Sequence, residues 1–283
     1  MTFVASPAEQ RILDQLVIPP QPDVLLRVAA EAKKPEPNLQ VIADAIAADI
    51  SIAGGVMQVI NSAAYRRAVP ISNISHAVRA LGFRRVYSLV RTVALRNAMA
   101  HCPDIDSFWQ SGQRVAEAAV RTAELLGRPD LVDHAYLCGL FHLVGAPVLA
   151  AMFPAYDAIL TRAAVEGWST LADEERQRFG TCHTAVGALV TQRWHLPEAV
   201  VEAIACQHEA VQLFNQAQHA DSADLLAILK LARRVAAREV QTMVVDYEWD
   251  QLCDALADYL AVPNAAALEP FLDQIAQKMS ASA

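Results

Sequence analysis

The sequence predicts an all-α protein, and three observations carry that reading. Hydrophobic residues make up 54% of its 283 positions while glycine takes only 10, a composition weighted to Ala, Leu and Val that favours helix over turn-rich sheet. Apolar residues recur at three- and four-residue spacing in segment after segment, and no run alternates convincingly over the length of a strand. Prolines and glycines punctuate several of these segments at their ends, where they start and stop helices.

The elements follow in order. "IPPQPDVLLRVAAEAKKPEP" opens with prolines that set an extended entry, then places Val24, Leu25, Val28, Ala29 and Ala32 at helical spacing until the next proline pair stops it. In "NLQVIADAIAADISIAGGVMQVINSAAY", Asn38 is the expected N-cap and Leu39, Ile42, Ala43 and Ile46 share one face. Asn61 is polar within the apolar run "VMQVINSAAY", where an unpaired amide would cost about 1 to 3 kcal/mol. It is therefore expected to bond backbone in the following turn and to hold the "RRAVPISNIS" loop. "VPISNISHAVRALGF" reads as a turn, a short helix and a stop at Gly82, after which "RRVYSLVRTVALRNAMA" begins another helix.

"DSFWQSGQRVAEAAVRTAELLG" is a long helix closed by Gly127 and Pro129. "VDHAYLCGLFHLVGAPVLAAMF" reads as the next single helix, followed by a looser stretch through "EGWSTLADEERQRFGTCHTAVGALVTQRW". Pro197 opens "PEAVVEAIACQHE", as proline does in a first helical turn. A further helix follows the polar loop in "LFNQAQHADSADLLAILKLARRVAAREV", and "EWDQLCDALADYLAVPNAAALEPFLDQIAQKM" supplies two more with acidic outer faces.

Composition narrows the function classes. No apolar run is expected to reach the length that spans a bilayer, and "MTFVASPAEQRI" lacks the basic start and apolar core of a secretion signal. The expectation is a cytoplasmic protein with no membrane partner. Cys102, Cys138, Cys182, Cys206 and Cys253 form no CxxC pair and are odd in number, which suits reduced thiols. A net charge of -8 argues against a nucleic-acid partner.

The charge is unevenly spread. No acidic residue occurs between Asp49 and Asp104, while Arg66, Arg67, Arg79, Arg84, Arg85, Arg91 and Arg96 all fall in that gap. At about 100° per residue, Arg84, Arg85, Arg91 and Arg96 share one broad helix face. Two readings stand. The face docks an acidic protein segment, gripped by arginine forks, or it is a solvated face neutralised by the chain's own Asp250, Asp254 and Asp258, spaced four apart.

Three histidines are candidate site residues. His208 shares a face with Val201, Ile204 and Ala205 and reads as a core or half-buried histidine. His142 has only small helical neighbours, Cys138, Gly139, Gly145 and Ala146, which leaves room for a close helix approach or for a ligand. His183 falls at an apparent helix start, with Thr181 or Cys182 as the expected cap. A metal reading is also open: His142, His183 and His208 as a three-histidine zinc site, with a Cys138 thiolate one turn before His142.

The run "IPPQPDVLLRVAAE", then "IAADISIAGGVMQVINSAAY", then "ISNISHAVRALGFRRV" resembles the amino-terminal half of the HDOD family, the HD-related output domains of bacterial signalling proteins. "FWQSGQRVAEAA", "CGLFHLVGAPVLA" and "HTAVGALVTQRWHLPEAVVEAIACQHE" are similar to its second half. The resemblance implies an amino-terminal helical lobe over 8–103, a degenerate HD-like helical lobe over 104–240 on which it packs, and a carboxy-terminal helical extension over 241–283. Parent HD phosphohydrolases hold one or two metal ions with histidines and aspartates, so that metal-bound water attacks a phosphate ester.

The matching positions here read Ser111, His142 followed by Leu143, His183, His208 preceded by Gln207, and Arg233 in place of the closing aspartate, with Arg234 the alternative for that last position. Three histidines remain and both aspartates are gone. A guanidinium about 4 Å from a dication, at an effective dielectric near 20, meets repulsion of roughly 8 kcal/mol. The resemblance therefore implies a regulatory module with no catalysis, no metal and no cofactor, whose partners are other signalling proteins. The alternatives are a metal-dependent phosphohydrolase, or a sensor holding a nucleotide second messenger with Arg233 as its phosphate partner.

Overall fold

The computed structural model describes residues 9–10, 14–15, 21–61, 71–216, 220–239 and 247–280, without the side chains of Arg84, Ala164, Gln216, Glu239 and Tyr247. Every regular element among the described residues is helical, as the composition and periodicity predict. The chain divides into two compact units, residues 19–100 and residues 101–281, the second also taking in residues 1–18.

The 19–100 unit contains α1 (Asp23–Ala32), α2 (Leu39–Ala47), α3 (Ile50–Ile60), α4 (Ile74–Leu81) and α5 (Phe83–Ala98). Side-chain caps start three of them. Asn38 Oδ1 accepts from the backbone of Gln40 at 2.9 Å, Asp49 from Ile52 at 3.0 Å and Asn73 from His76 at 2.8 Å, each relieving a helix-end N–H that has no intrahelical partner. Gly82, at φ 80°, makes the turn between α4 and α5. Val24, Leu25, Val28, Ile42, Ile46, Val56, Ile60, Val78, Leu89 and Val90 form the core. Leu39 departs from its expected face: it begins α2 and is 40% exposed. Asn61 behaves as expected. Its Nδ2 donates to the Ile71 carbonyl at 3.0 Å, and its Oδ1 accepts from the Ile71 N–H at 3.1 Å, so one amide clamps both backbone groups ten residues away.

The 101–281 unit contains α6 (Ile105–Leu125), α7 (Val132–Phe141), α8 (Gly145–Met152), α9 (Asp157–Glu166), α10 (Ala172–Phe179), α11 (His183–Arg193), α12 (Glu198–Ala205), α13 (Ala210–Gln216), α14 (Asp221–Glu239), α15 (Tyr247–Tyr259) and α16 (Glu269–Ser280). Helix α6 packs along α7, α14 and α16, while α11 lies between α8 and α12. The α6–α7 contact is backbone-close: a Cβ on Gly139 would lie 2.7 Å from Ala116 Cα, and one on Gly112 would lie 2.5 Å from the Leu140 carbonyl oxygen. The carboxy-terminal helices join this unit, α16 on α6 and α14 and α15 on α13. Arg238 Nη2 grips both oxygens of Glu269 at 2.8 and 2.7 Å.

Two expectations need correction. The single helix expected over 132–153 is split at His142–Val144. Pro147 has no N–H to give the Leu143 carbonyl and its ring would clash there, so the chain tightens instead, with Val144 bonded to Phe141 and Ala146 to Leu143. Gly145 then meets α11 so closely that a Cβ would lie 2.0 Å from the His183 carbonyl oxygen. The stretch Pro129–Met152 is also long and apolar enough to cross a membrane, with an 18-residue window of mean hydropathy 1.7, contrary to the expectation that no run is. Its apolar residues serve the interior, for 78% of that window is buried.

Candidate functional site

The site lies within the 101–281 unit, where the ends of several helices converge. Its first member was not expected from sequence. On α10, the buried residues Ala172, Glu175 and Phe179 continue a line from buried Leu171 at helical spacing, while Glu174 faces outward to pair with Arg162 and Arg178. The periodicity that buries Leu171 and Phe179 thus carries the Glu175 carboxylate inward, to 0% exposure.

Glu175 organises the start of α11. Its Oε2 accepts the His183 backbone N–H at 3.1 Å and lies 2.6 Å from His183 Nδ1, and its Oε1 accepts the Tyr156 hydroxyl. Glu175 is therefore the cap of α11, supplied from another helix. Glu175 thus takes the first N–H, where Thr181 or Cys182 was the expected cap; the Cys182 Sγ lies 3.2 Å from Thr184 Oγ1. Burial, followed by the Glu175 charge, pushes the Tyr156 hydroxyl pKa well up, so Tyr156 remains a donor. The Trp168 ring covers His183 at 4.8 Å between centroids.

His183 Nε2 lies 2.9 Å from His208 Nε2. His208 follows α12 in a turn, and its Nδ1 is 2.8 Å from Glu248 Oε1. Lys230 donates to that same oxygen, and Arg233 Nη1 to Glu248 Oε2 at 3.1 Å. The result is a continuous chain, Tyr156–Glu175–His183–His208–Glu248, ending on two α14 cations. Burial raises the Glu248 pKa, but Lys230, Arg233 and His208 outweigh it and hold the carboxyl well below its ordinary value. Burial pushes His208 down to about 3, against the opposing pull of its Glu248 bond.

These states fix the direction of the chain. A neutral His208 that gives its Nδ1 proton to the Glu248 carboxylate has only a lone pair at Nε2, so His183 must donate from its own Nε2.

His142 stands beside this chain. It ends α7 with Nδ1–H donating to the Gly139 carbonyl at 2.7 Å, and its own carbonyl accepts from Gln207 Nε2 at 2.8 Å. Burial, then the nearby Arg233 charge, pushes its pKa down to about 3. Of the two uses open for its small neighbours, Gly139 and Gly145 serve close helix approach. Leu143 lies half-buried in the break after α7, and Ser111 is half-buried on α6, next to the close contact at Gly112. Arg233 reaches the site through Glu248, whereas the Arg234 guanidinium stacks over Trp249 at 5.2 Å.

The zinc alternative does not fit these residues. Among the described residues no three His, Cys, Asp or Glu side chains are placed to hold a metal ion. Two of the proposed ligands, His183 and His208, spend their Nε2 atoms on each other. Burial pushes the Cys138 thiol up to about 12.

The arginine face belongs to the other unit. Arg85, Arg91 and Arg96 are half-buried on α5. Arg91 lies 4.6 Å over the Tyr87 ring, Tyr87 stacks on Phe83 at 5.6 Å, and burial lowers the Arg91 pKa. Arg91 is thus partly a packing residue. The Arg84 side chain, and Arg66 and Arg67, lie outside the described residues. Asp250, Asp254 and Asp258 are exposed on α15.

Sequence reasoning missed Tyr156, Trp168, Glu175, Lys230 and Glu248. Glu175 was detectable as a carboxylate on the apolar line of its helix, and Lys230 as a lone charge inside "LLAILKLA". Nothing in "DYEWDQ" marks Glu248.

Comparison with known proteins agrees with this architecture. The model of the HDOD domain matches residues 18–210. A Shewanella amazonensis protein provisionally named a phosphohydrolase is similar in structure, with a TM-score of 0.68 at 21% identity over 98% of both chains. An HDOD domain protein of unknown function from Geobacter sulfurreducens gives 0.60 at 22% identity, covering 98% of this chain and 97% of that one. A Marinobacter aquaeolei protein provisionally named a signal transduction protein gives 0.66 at 23% identity, over 99% of this chain and 61% of its own. In sequence, the chain is 27% identical over 208 residues to an uncharacterised Treponema pallidum (strain Nichols) protein, of whose length the match spans 40%.

Proposed function

The chain belongs to the HDOD domain family, and from that premise we propose that it is a non-catalytic regulatory module of bacterial signal transduction, working in the cytoplasm by binding other signalling proteins. One observation carries the reading. Two of the three histidines that match HD ligand positions, His183 and His208, have their Nε2 atoms committed to each other, and each Nδ1 is held by a glutamate. Leu143 and Arg233 stand where the HD aspartates would be, and the two carboxylates present are already engaged, Glu175 at the start of α11 and Glu248 with Lys230 and Arg233. A buried network with its polar groups paired favours a fixed shape, which suits a scaffold for binding more than a site for turnover.

The binding surface in this reading is the arginine face of α5, with Arg85 and Arg96 as its contacts and Arg91 held partly by Tyr87. Its partner is an acidic protein segment. The test is cross-linking in the native cytoplasm followed by mass spectrometry, comparing the wild type with an Arg85→Glu/Arg96→Glu variant of equal thermal stability. A partner captured by the wild type and lost by the variant is the expected result. Equal capture by both contradicts the assigned surface, and no specific capture by either contradicts the module.

A further inference from the structure

Glu248 is held in an unusual way for a residue at the start of a helix. Three donors from two elements converge on it: Lys230 and Arg233, one turn apart on α14, and His208 from the turn after α12. The Lys230 side chain is 2% exposed and that of His208 9%, while Arg233 is 21% exposed and opens towards solvent. Donors of this kind, two cations and an imidazole N–H fixed by packing, are the parts of an anion-binding site.

We propose that Lys230, Arg233 and His208 form a binding site for the phosphoryl group of a small phosphate monoester, and that Glu248 is the site's built-in competitor. Oxygen supply favours phosphate over a carboxylate ligand. Glu248 Oε1 serves both Lys230 and His208, leaving Oε2 for Arg233. A phosphoryl group brings three oxygens and a dianionic charge, so each donor has an oxygen of its own. Arg233 contributes the planar fork that matches such a group, and Lys230 a point charge beneath it. Glu248 is the second residue of α15, so the competitor sits on a different helix from Lys230 and Arg233. The phosphoryl group is bound and not transferred, and in that respect alone the inference rests on the non-catalytic reading.

The test uses the full chain and titration calorimetry at constant ionic strength, with inorganic phosphate, adenosine 5′-monophosphate and acetate as probes of wild type and Glu248→Gln. Removing the competing charge is expected to tighten 1:1 phosphate binding at least tenfold, and Glu248→Gln/Arg233→Ala is expected to lose it. Tighter binding of the nucleotide than of inorganic phosphate identifies a monoester as the ligand, and equal binding identifies the bare phosphoryl group. Absence of saturable binding, equal affinity in wild type and variant, or acetate bound as well as phosphate overturns the proposal. Should Glu248→Gln fail to fold by circular dichroism, Glu248→Asp, whose shorter carboxylate reaches the donors less well, is read by the same criteria with an intermediate gain expected. Release of phosphate from the bound nucleotide would overturn the non-catalytic reading while leaving the site in place.

Discussion

His183 and His208 meet Nε2 to Nε2 at 2.9 Å, a contact that two acceptor nitrogens cannot make without a proton between them. Each ring is anchored on its far side by a glutamate, Glu175 and Glu248. Helices α10, α11 and α15 and the turn after α12 are thereby joined through one line of side chains, with α14 attached at its cationic end.

Glu175 carries the heaviest structural duty in that line. Glu175→Ala removes the partner of His183 Nδ1, the cap of α11 and the acceptor of Tyr156 at once. Each buried group left unsatisfied costs about 1 to 3 kcal/mol, so the expected loss in a urea melt is about 3 kcal/mol or more. Glu175→Gln keeps an acceptor oxygen and is expected to lose less than half as much. A loss below about 1 kcal/mol for alanine would show that the network does not support the fold.

Acid should unfold the protein early, for a reason that can be traced to single residues. His142 and His208 are held down at about 3 from an ordinary 6.5. A depressed folded-state pKa means the unfolded chain binds more protons, so the stability present above pH 6.5 drains away as pH falls towards about 3. Each histidine contributes up to about 1.4 kcal/mol per pH unit in that window. The depressed pKa of Glu248 adds a loss of the same sign below its ordinary 4.5. Denaturation midpoints are therefore expected to fall steadily from pH 7 to pH 4, and His142→Asn to flatten that dependence by about one histidine's share. A midpoint independent of pH over this range contradicts the buried neutral histidines.

Asn61 offers a test in the other unit. Asn61→Ala unpairs both backbone groups of Ile71 and is expected to destabilise by about 2 kcal/mol. Asn61→Asp retains the acceptor for the Ile71 N–H but has no donor for the Ile71 and Met57 carbonyls, and so should be no better. An unchanged melting temperature for both would remove the structural role and leave a surface role as the alternative.

Gly145→Ala probes the contact between α8 and α11. Its Cβ would fall 2.0 Å from the His183 carbonyl oxygen and 2.6 Å from the Gly187 nitrogen, both backbone atoms that cannot swing aside. Overpacking of this kind costs about 1 to 3 kcal/mol or more, and here it also displaces His183. The expected thermal shift is large. Gly54→Ala, which meets nothing within 4 Å, serves as the neutral control.

The all-α class, the Asn38 cap, the Gly82 stop and the Asn61 clamp were legible because each depends on a few residues close in the chain. The split at His142–Val144 was less so: Pro147 signals a break, but the run of apolar and small residues around it reads equally as a continuous helix. The three site histidines could be picked out by resemblance, yet their partners could not. Glu175 and His183 are eight residues apart, whereas Glu248 lies 40 residues from His208. Only packing of the intervening helices brings that second pair together. A carboxylate's role as cap, counter-ion or competitor depends on that packing and leaves no local periodicity to read.

In the proposed reading, His183 and His208 are closed into a hydrogen-bond chain and the pocket around them hydrolyses nothing. The most direct measurement is a hydrolysis assay of the purified protein with phosphomonoesters and phosphodiesters, with and without added Mn²⁺, Mg²⁺ or Zn²⁺. The expected result is no turnover above the rate of a His183→Ala/His208→Ala variant under any of these conditions. Metal-stimulated turnover that disappears in that double variant, or in His142→Ala, would contradict it.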